Sequence, residues 1–302
     1  MLSIREAYTQ ACSRSEELHF ISDEEKQQLQ NRLKKMYLEL EKVCCSHNLK
    51  LVSAYGTVLG ALRHQGFIPW DDDLDVLMPR EDFNKLLHSY SSEFPSNLQL
   101  YGPNTANGPR NCFFQLIDTS TRLLGAGGKD VPKNGIYVDI FILDNCPCNK
   151  FHWRYRQIVA NFLRLITKCV FDVENDSEAT RKLLCSTKSG RNAYYIRKTI
   201  GRVFSFKTAS KWASLFDNFI AYHKITGYYS VTNGGPYDRN NMPIEESFYF
   251  PAKKYKFDDI EINVPNQIEK YCELEYGDWK SIPPVEKRNQ HFVKQVKFNL
   301  NQ

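Results

Sequence analysis

A chain of 302 residues, 42% hydrophobic and 25% charged, has the ordinary make-up of a soluble globular protein and the length for one large core or two small ones. The formal net charge is +5, and no uninterrupted apolar run approaches the roughly 20 residues of a membrane span. The nine cysteines (Cys12, Cys44, Cys45, Cys112, Cys146, Cys148, Cys169, Cys185, Cys272) are odd in number and include no Cys-x-x-Cys. That argues against paired zinc knuckles and a disulfide framework and for reduced thiols in a cytoplasm. Met1 to Tyr8 carries Arg5 and Glu6 and lacks the apolar core of a signal peptide.

In chain order, residues 1–22 read as a lead-in. Ser22-Asp23-Glu24-Glu25 is a helix start, with Ser22 as cap and Glu25 three residues on. The helix extends to about His47 with Leu29, Leu33, Met36, Leu40 and Val43 along one side. Leu49 to Tyr55 reads as a strand ending at Gly56-Thr57, and Thr57 to Gln65 as a short helix stopped by Gly66. Thr57 then lies at a helix N-terminus, where free N–H groups and the dipole favour a phosphate, and Gly56 lets the chain approach it closely. After Phe67-Ile68-Pro69-Trp70 come four aspartates, Asp71, Asp72, Asp73 and Asp75. The strand Asp73 to Met78 puts Leu74 and Val76 toward the core and both Asp73 and Asp75 on the other face. Pro79 closes it, Arg80 to Tyr90 reads as a helix, and further strands fall near 112–118 and 136–143.

Two carboxylates side by side repel, and a hard divalent cation such as Mg²⁺ or Mn²⁺ removes the conflict. A solvated acidic turn is the plain alternative; the apolar flanks and the preceding Gly-Thr turn favour the metal. An EF-hand fails, because Val76 and Asp82 stand where its loop needs Gly and Glu. Asp139 interrupts one face of the apolar run Tyr137 to Leu143, whose other face is Val138, Ile140 and Ile142. A lone Asp there is costly unless paired or metal-bound. Arg63, at the end of the short helix, suits a phosphate oxygen or the helix C-terminus equally. Trp70 suits stacking on a base or sugar, or plain packing. His64 reads as a surface residue and Gly277-Asp278 as a turn or an acceptor contact. Gly125-Ala126-Gly127-Gly128 lacks the Lys-Ser/Thr of a phosphate loop and reads as a flexible loop.

Residues 150–211 change character, with fourteen Lys/Arg against four acids, a net charge of +10, so that the rest of the chain is acidic. Phe151 to Val170 reads as an amphipathic helix. Its apolar face is Phe151, Tyr155, Ile158, Val159, Phe162, Leu165 and Ile166, and its polar face Arg154, Gln157, Asn161, Arg164 and Lys168. Three readings fit: an apolar face packed on the core with a solvated basic face, peripheral contact of 151–170 with an anionic membrane, or nucleic acid. The last lacks any accompanying motif and is not expected. Lys256 to Val264 suggests a hairpin, and Ile282-Pro283-Pro284 a rigid loop.

The run Gly56-Thr57-Val58-Leu59-Gly60-Ala61-Leu62-Arg63-His64, then Gly66-Phe67-Ile68-Pro69-Trp70-Asp71-Asp72-Asp73-Leu74-Asp75, resembles the LicD/fukutin family of phosphotransferases. Further blocks are Gly135 to Asp144, Tyr276-Gly277-Asp278-Trp279 and Ile282 to Arg288. The resemblance implies an α+β fold with a nucleotidyltransferase-like mixed sheet, flanking helices and the basic helical insertion. It divides the chain into 1–48, a catalytic core over 49–149, the insertion 150–211, and 212–302 completing core and site. It also implies transfer of a phospho-alcohol, phosphocholine foremost, from a CDP-linked donor to a glycan or lipid-linked saccharide hydroxyl. The acceptor would be a lipopolysaccharide, teichoic-acid or capsule precursor at the inner face of the membrane.

The family's third carboxylate maps to Asp139, so Asp73, Asp75 and Asp139 are the implied metal ligands. Gly56, Thr57, Arg63 and Trp70 are the implied donor contacts, and Asp139 or Asp71 the neighbour of the acceptor hydroxyl. Ribitol, glycerol, ethanolamine or sugar phosphate transfer, or a non-catalytic membrane scaffold, are the alternatives. Two departures stand out: Gln115 where the family often has Lys, which bears on the donor, and Trp279 where Tyr is expected.

Overall fold

A computed structural model describes residues 18–109, 111–125, 132–232, 243–284, 288 and 292–300. The expectations for the lead-in before residue 18, for Ala126-Gly127-Gly128 and for Val285-Glu286-Lys287 lie outside the described residues.

Helix α1 (Asp23–Ser46) starts with a reciprocal cap: Ser22 Oγ accepts from Glu25 N–H at 3.2 Å and the Glu25 carboxylate accepts from Ser22 N–H at 3.0 Å. Its stripe Leu29, Leu33, Met36, Leu40 and Val43 is buried and belongs to the same hydrophobic cluster as the central sheet. That sheet runs β2 (Val52–Ser53), β3 (Asp75–Pro79), β7 (Ile136–Asn145), β5 (Phe114–Asp118), β4 (Leu98–Tyr101). Only β3 and β7 are parallel among these neighbours; the other pairs are antiparallel. From the end of β7 the ladder continues to β8 (Tyr228–Ser230) and β9 (Ile244–Glu245). The fold is thus a mixed sheet with helices packed on it, an α+β arrangement. The same core takes in the hairpin β10 (Lys253–Phe257) and β11 (Ile260–Val264) and helix α9 (Ile268–Tyr276) through Phe257, Ile262, Val264, Ile268 and Tyr271.

Some boundaries differ from expectation. The strand begins at Asp75, not Asp73, and Asp71 to Leu74 is irregular. Asp71 N–H donates to Ile68 O at 2.8 Å and the Gln30 amide donates to Asp71 O at 2.9 Å, so the acidic run follows a tethered bend. Helix α2 spans Tyr55–His64, starting two residues early, and its left-handed cap is Gln65 (φ 55°) rather than Gly66. Gly66 is needed for another reason: a Cβ there would meet Asp258 Oδ1, at the hairpin turn, at 1.8 Å. The Arg80–Tyr90 helix is α3 (Arg80–Lys85) followed by a wider turn over Leu86–Tyr90.

The insertion holds α4 (Lys150–Glu174), α5 (Glu178–Cys185) and α6 (Lys188–Phe204), and α7 (Ala209–Ile220) follows. Here the faces differ from expectation: Gln157 and Arg164 of the expected polar face are buried, whereas Arg154, Asn161 and Lys168 are exposed as expected. The buried side of α4 is Trp153, Gln157, Ala160, Arg164, Ile166, Thr167, Cys169 and Val170, while Phe151, Tyr155, Ile158, Phe162 and Leu165 are exposed. Each of the polar groups turned inward finds at least one partner. Arg164 donates to Thr232 O at 2.7 Å, Gln157 to Thr232 Oγ1 at 3.3 Å, and Arg156 to Phe219 O while lying over the Phe219 and Tyr222 rings.

Candidate active site

Asp75 opens β3, and its in-register neighbour on β7 is Asp139. Asp139 in turn lies opposite Gln115 on β5. In-register residues of adjacent strands share a face, so two carboxylates and an amide form one row across three strands. Gln115 Nε2 donates to Asp139 Oδ1 at 2.6 Å. Gln115 Oε1 is buried and accepts no hydrogen bond among the described residues.

Helix α2 feeds this row. Thr57, 3% exposed, accepts from Asp75 N–H through its hydroxyl at 3.0 Å, locking the helix start to the strand start. Tyr55, at φ 41°, occupies the left-handed region that bulky residues avoid, and its N–H is held by the Tyr271 hydroxyl at 3.0 Å. A Cβ on Gly56 would lie 2.5 Å from Asp71 Oδ2. The space that glycine leaves at the helix N-terminus is therefore taken by the Asp71 carboxylate, where the dipole favours negative charge.

Asp71, Asp72 and Asp73 each offer a carboxylate oxygen within 4.8 Å of the others. Burial, then Asp73, Asp139 and Asp71, push the Asp75 carboxyl well above its ordinary range. Burial, then Asp75 and Asp71, likewise push up the Tyr276 hydroxyl, which places α9 beside the cluster. The structure thus gathers Asp71, Asp73, Asp75 and Asp139 into one negative field, with Asp72 added to it.

The other expected residues do different things. Arg63 donates to Trp279 O at 2.8 Å and Ser281 O at 3.1 Å, tying α2 to the segment after α9. Trp70 packs beneath the Arg288 guanidinium, 4.3 Å from its ring centroid, with His64 edge-on at 6.3 Å. Gly277 (φ 68°) ends α9, and Asp278 accepts from the Ser281 hydroxyl within the turn. Two residues that sequence reasoning did not place in the site are Asp72 and Tyr276. The run of three aspartates is the signal for the first; the Tyr276-Gly277-Asp278-Trp279 block is the signal for the second.

Residues 48–156 match the LicD/FKTN/FKRP nucleotidyltransferase domain. Over 264 residues, 84% of this chain and 91% of the relative, the sequence is 24% identical to the lipopolysaccharide cholinephosphotransferase LicD of Haemophilus influenzae. It is 31% identical over 124 residues to mannosyltransferase regulator 4 of Saccharomyces cerevisiae, covering 38% of this chain but 10% of that protein. An uncharacterized protein of Rickettsia prowazekii shares 46% identity over 44 residues, 15% of this chain and 16% of its own. Residues 48–156, which carry the row of Asp75, Asp139 and Gln115, are thus similar to the LicD/FKTN/FKRP nucleotidyltransferase domain, and the likeness to the Haemophilus protein extends over most of the chain.

Proposed function

We propose that this protein is a metal-assisted phosphotransferase on a nucleotidyltransferase-type fold. It moves a phospho-alcohol, phosphocholine first, from a CDP-linked donor to a hydroxyl of a cell-surface glycan precursor. The observation that carries the reading is the in-register pair Asp75 and Asp139 with Asp71 and Asp73 in the same field. The name of the Haemophilus relative supplies the substrate class. The eight described cysteines are free thiols, which suits a cytoplasmic location.

The donor set fits Mg²⁺ or Mn²⁺. It is all oxygen, it is self-repelling without a cation, and Gln115 Oε1 is an unsatisfied buried oxygen one strand from Asp139. Asp73, Asp75 and Asp139 would hold the ion, which when bound neutralises charge on the donor pyrophosphate and the departing CMP. The chain's own groups do the rest. Gln115 orients Asp139 through its amide, and Thr57 fixes the backbone of Asp75. Gly56 admits Asp71 to the helix start. The acceptor oxygen attacks the donor phosphorus bearing the alcohol, the bond from that phosphorus to the bridging oxygen breaks, and CMP leaves. The hydroxyl proton passes to the carboxylate of Asp139 or Asp71.

The test is calorimetric binding of CDP-choline, CDP-ethanolamine, CDP-glycerol and CDP-ribitol, with and without Mg²⁺, to wild type and Asp73→Ala. Selective binding of one donor, dependent on both metal and Asp73, supports the reading and names the alcohol. Binding of none of them defeats it.

A further inference from the structure

Helix α4 presents its most hydrophobic stripe to solvent. Phe151 (88% exposed), Tyr155 (60%), Ile158 (62%), Phe162 (53%) and Leu165 (47%) recur at spacings of three and four residues on one side of a 25-residue helix. The strip crosses to the neighbouring helix. The Phe162 and Phe204 ring centroids are 6.1 Å apart, those of Phe204 and Phe206 also 6.1 Å, and Phe206 is 69% exposed. A continuous strip of this kind differs from the scattered apolar residues of an ordinary surface and marks a contact face.

Charge identifies what covers it. Lys150 to Val170 contains five basic residues and no acid. Lys150, Arg154 and Lys168 are exposed along one edge of the stripe, and the Lys207 ammonium lies 5.8 Å from the Phe206 ring centroid. The four acids of the insertion fall within 172–178, past the stripe, where Asp172 pairs with Arg197 and Asp176 with Lys198. A second copy would bring the same basic edge and no acidic strip to answer it. A bilayer rich in anionic lipid satisfies both features at once, taking the apolar side chains into the acyl boundary and the cations among its headgroups. No helix among the described residues is long and apolar enough to cross a membrane, so the contact is one of lying on the surface.

We propose that the exposed face of α4, continued by Phe206, docks the protein on an anionic phospholipid bilayer. The inference is independent of the phosphotransfer reading and is tested without donor or metal. The full chain is mixed with phosphatidylcholine vesicles, or with vesicles containing about 30% phosphatidylglycerol, and floated on a gradient at low and high salt. The variants are Ile158→Ser/Phe162→Ser, Phe151→Ser alone in case the double change unfolds the helix, and Lys150→Glu/Arg154→Glu. Wild type should float with the anionic vesicles only, and less so in high salt. Each variant should lose binding, the double apolar one by about tenfold or more, with its thermal midpoint unchanged. Wild type that stays at the bottom overturns the proposal, as does unchanged flotation of the folded variants. So does absence of flotation together with a dimer that Ile158→Ser/Phe162→Ser dissociates, which would assign the face to a second copy.

Discussion

Asp75 on β3 and Asp139 on β7 stand directly opposite each other in a parallel register, two carboxylates on adjacent strands with the burial of Asp75 raising the cost of its charge. Such a pair costs stability in the free protein and gains meaning once a cation is bound. We expect Asp75→Asn to reduce transfer by about a hundredfold or more while raising the metal-free thermal midpoint by about 2–4 °C. The pH dependence has a definite sign. The Asp75 carboxyl is raised in the fold, so its contribution is fully present below the unfolded value of about 4 and is lost as pH rises through the folded value. Melts in EDTA should therefore show the advantage of Asp75→Asn over wild type growing as pH increases, and added Mg²⁺ should stabilise wild type but not the variant.

Gly56→Ala isolates the helix start. The new methyl would fall 2.5 Å from Asp71 Oδ2, at the end of a side chain that can swing aside. The expected result is a loss of transfer of about tenfold or more with a midpoint within about 2 °C of wild type. A fully active Gly56→Ala protein would remove Asp71 from the site.

A second charged cluster, at the far end of the same strands, is structural. Arg80 is bidentate to Asp144 at 2.8 and 2.9 Å and reaches Asp217 at 2.8 Å, joining β7 to α7. Burial pushes the Asp144 carboxyl up, and the Arg80 guanidinium opposes that. Arg80→Ala strands two buried carboxylates and should cost about 3–5 kcal/mol in urea unfolding.

Thiol reactivity should follow burial. Burial pushes the Cys44, Cys146 and Cys272 thiols up to about 12, while Cys45 and Cys148 are exposed. Brief alkylation of the native protein at pH 8, mapped by peptide mass, should modify Cys45 and Cys148 well before those three.

What could be read from sequence divides along local and long-range lines. The Ser22 cap, the Leu29 to Val43 stripe and the hairpin follow from spacing and turn chemistry within a few residues; the first two form where expected, and the hairpin expected over Lys256 to Val264 begins three residues earlier, at Lys253. The face that α4 buries does not. Helical periodicity sorts Phe151, Tyr155 and Ile158 from Gln157 and Arg164, yet the partners that make a buried Arg164 acceptable, Thr232 and the Phe216 ring, lie more than fifty residues away. The same holds for Gln115 and Tyr276. Their proximity to the aspartates depends on strand register and on the return of α9. The seat of Asp71 against Gly56 likewise depends on the bend between α2 and β3.

The most direct test of the central claim follows the phosphorus. CDP-choline labelled in the phosphate that bears choline is incubated with the protein, Mg²⁺ and a membrane-derived glycan acceptor, and the products are separated. Phosphotransfer predicts label on the glycan and unlabelled CMP released, both abolished in Asp75→Asn. Label released as free phosphocholine, with cytidine monophosphate attached to the acceptor, would mean nucleotidyl transfer and contradict the account.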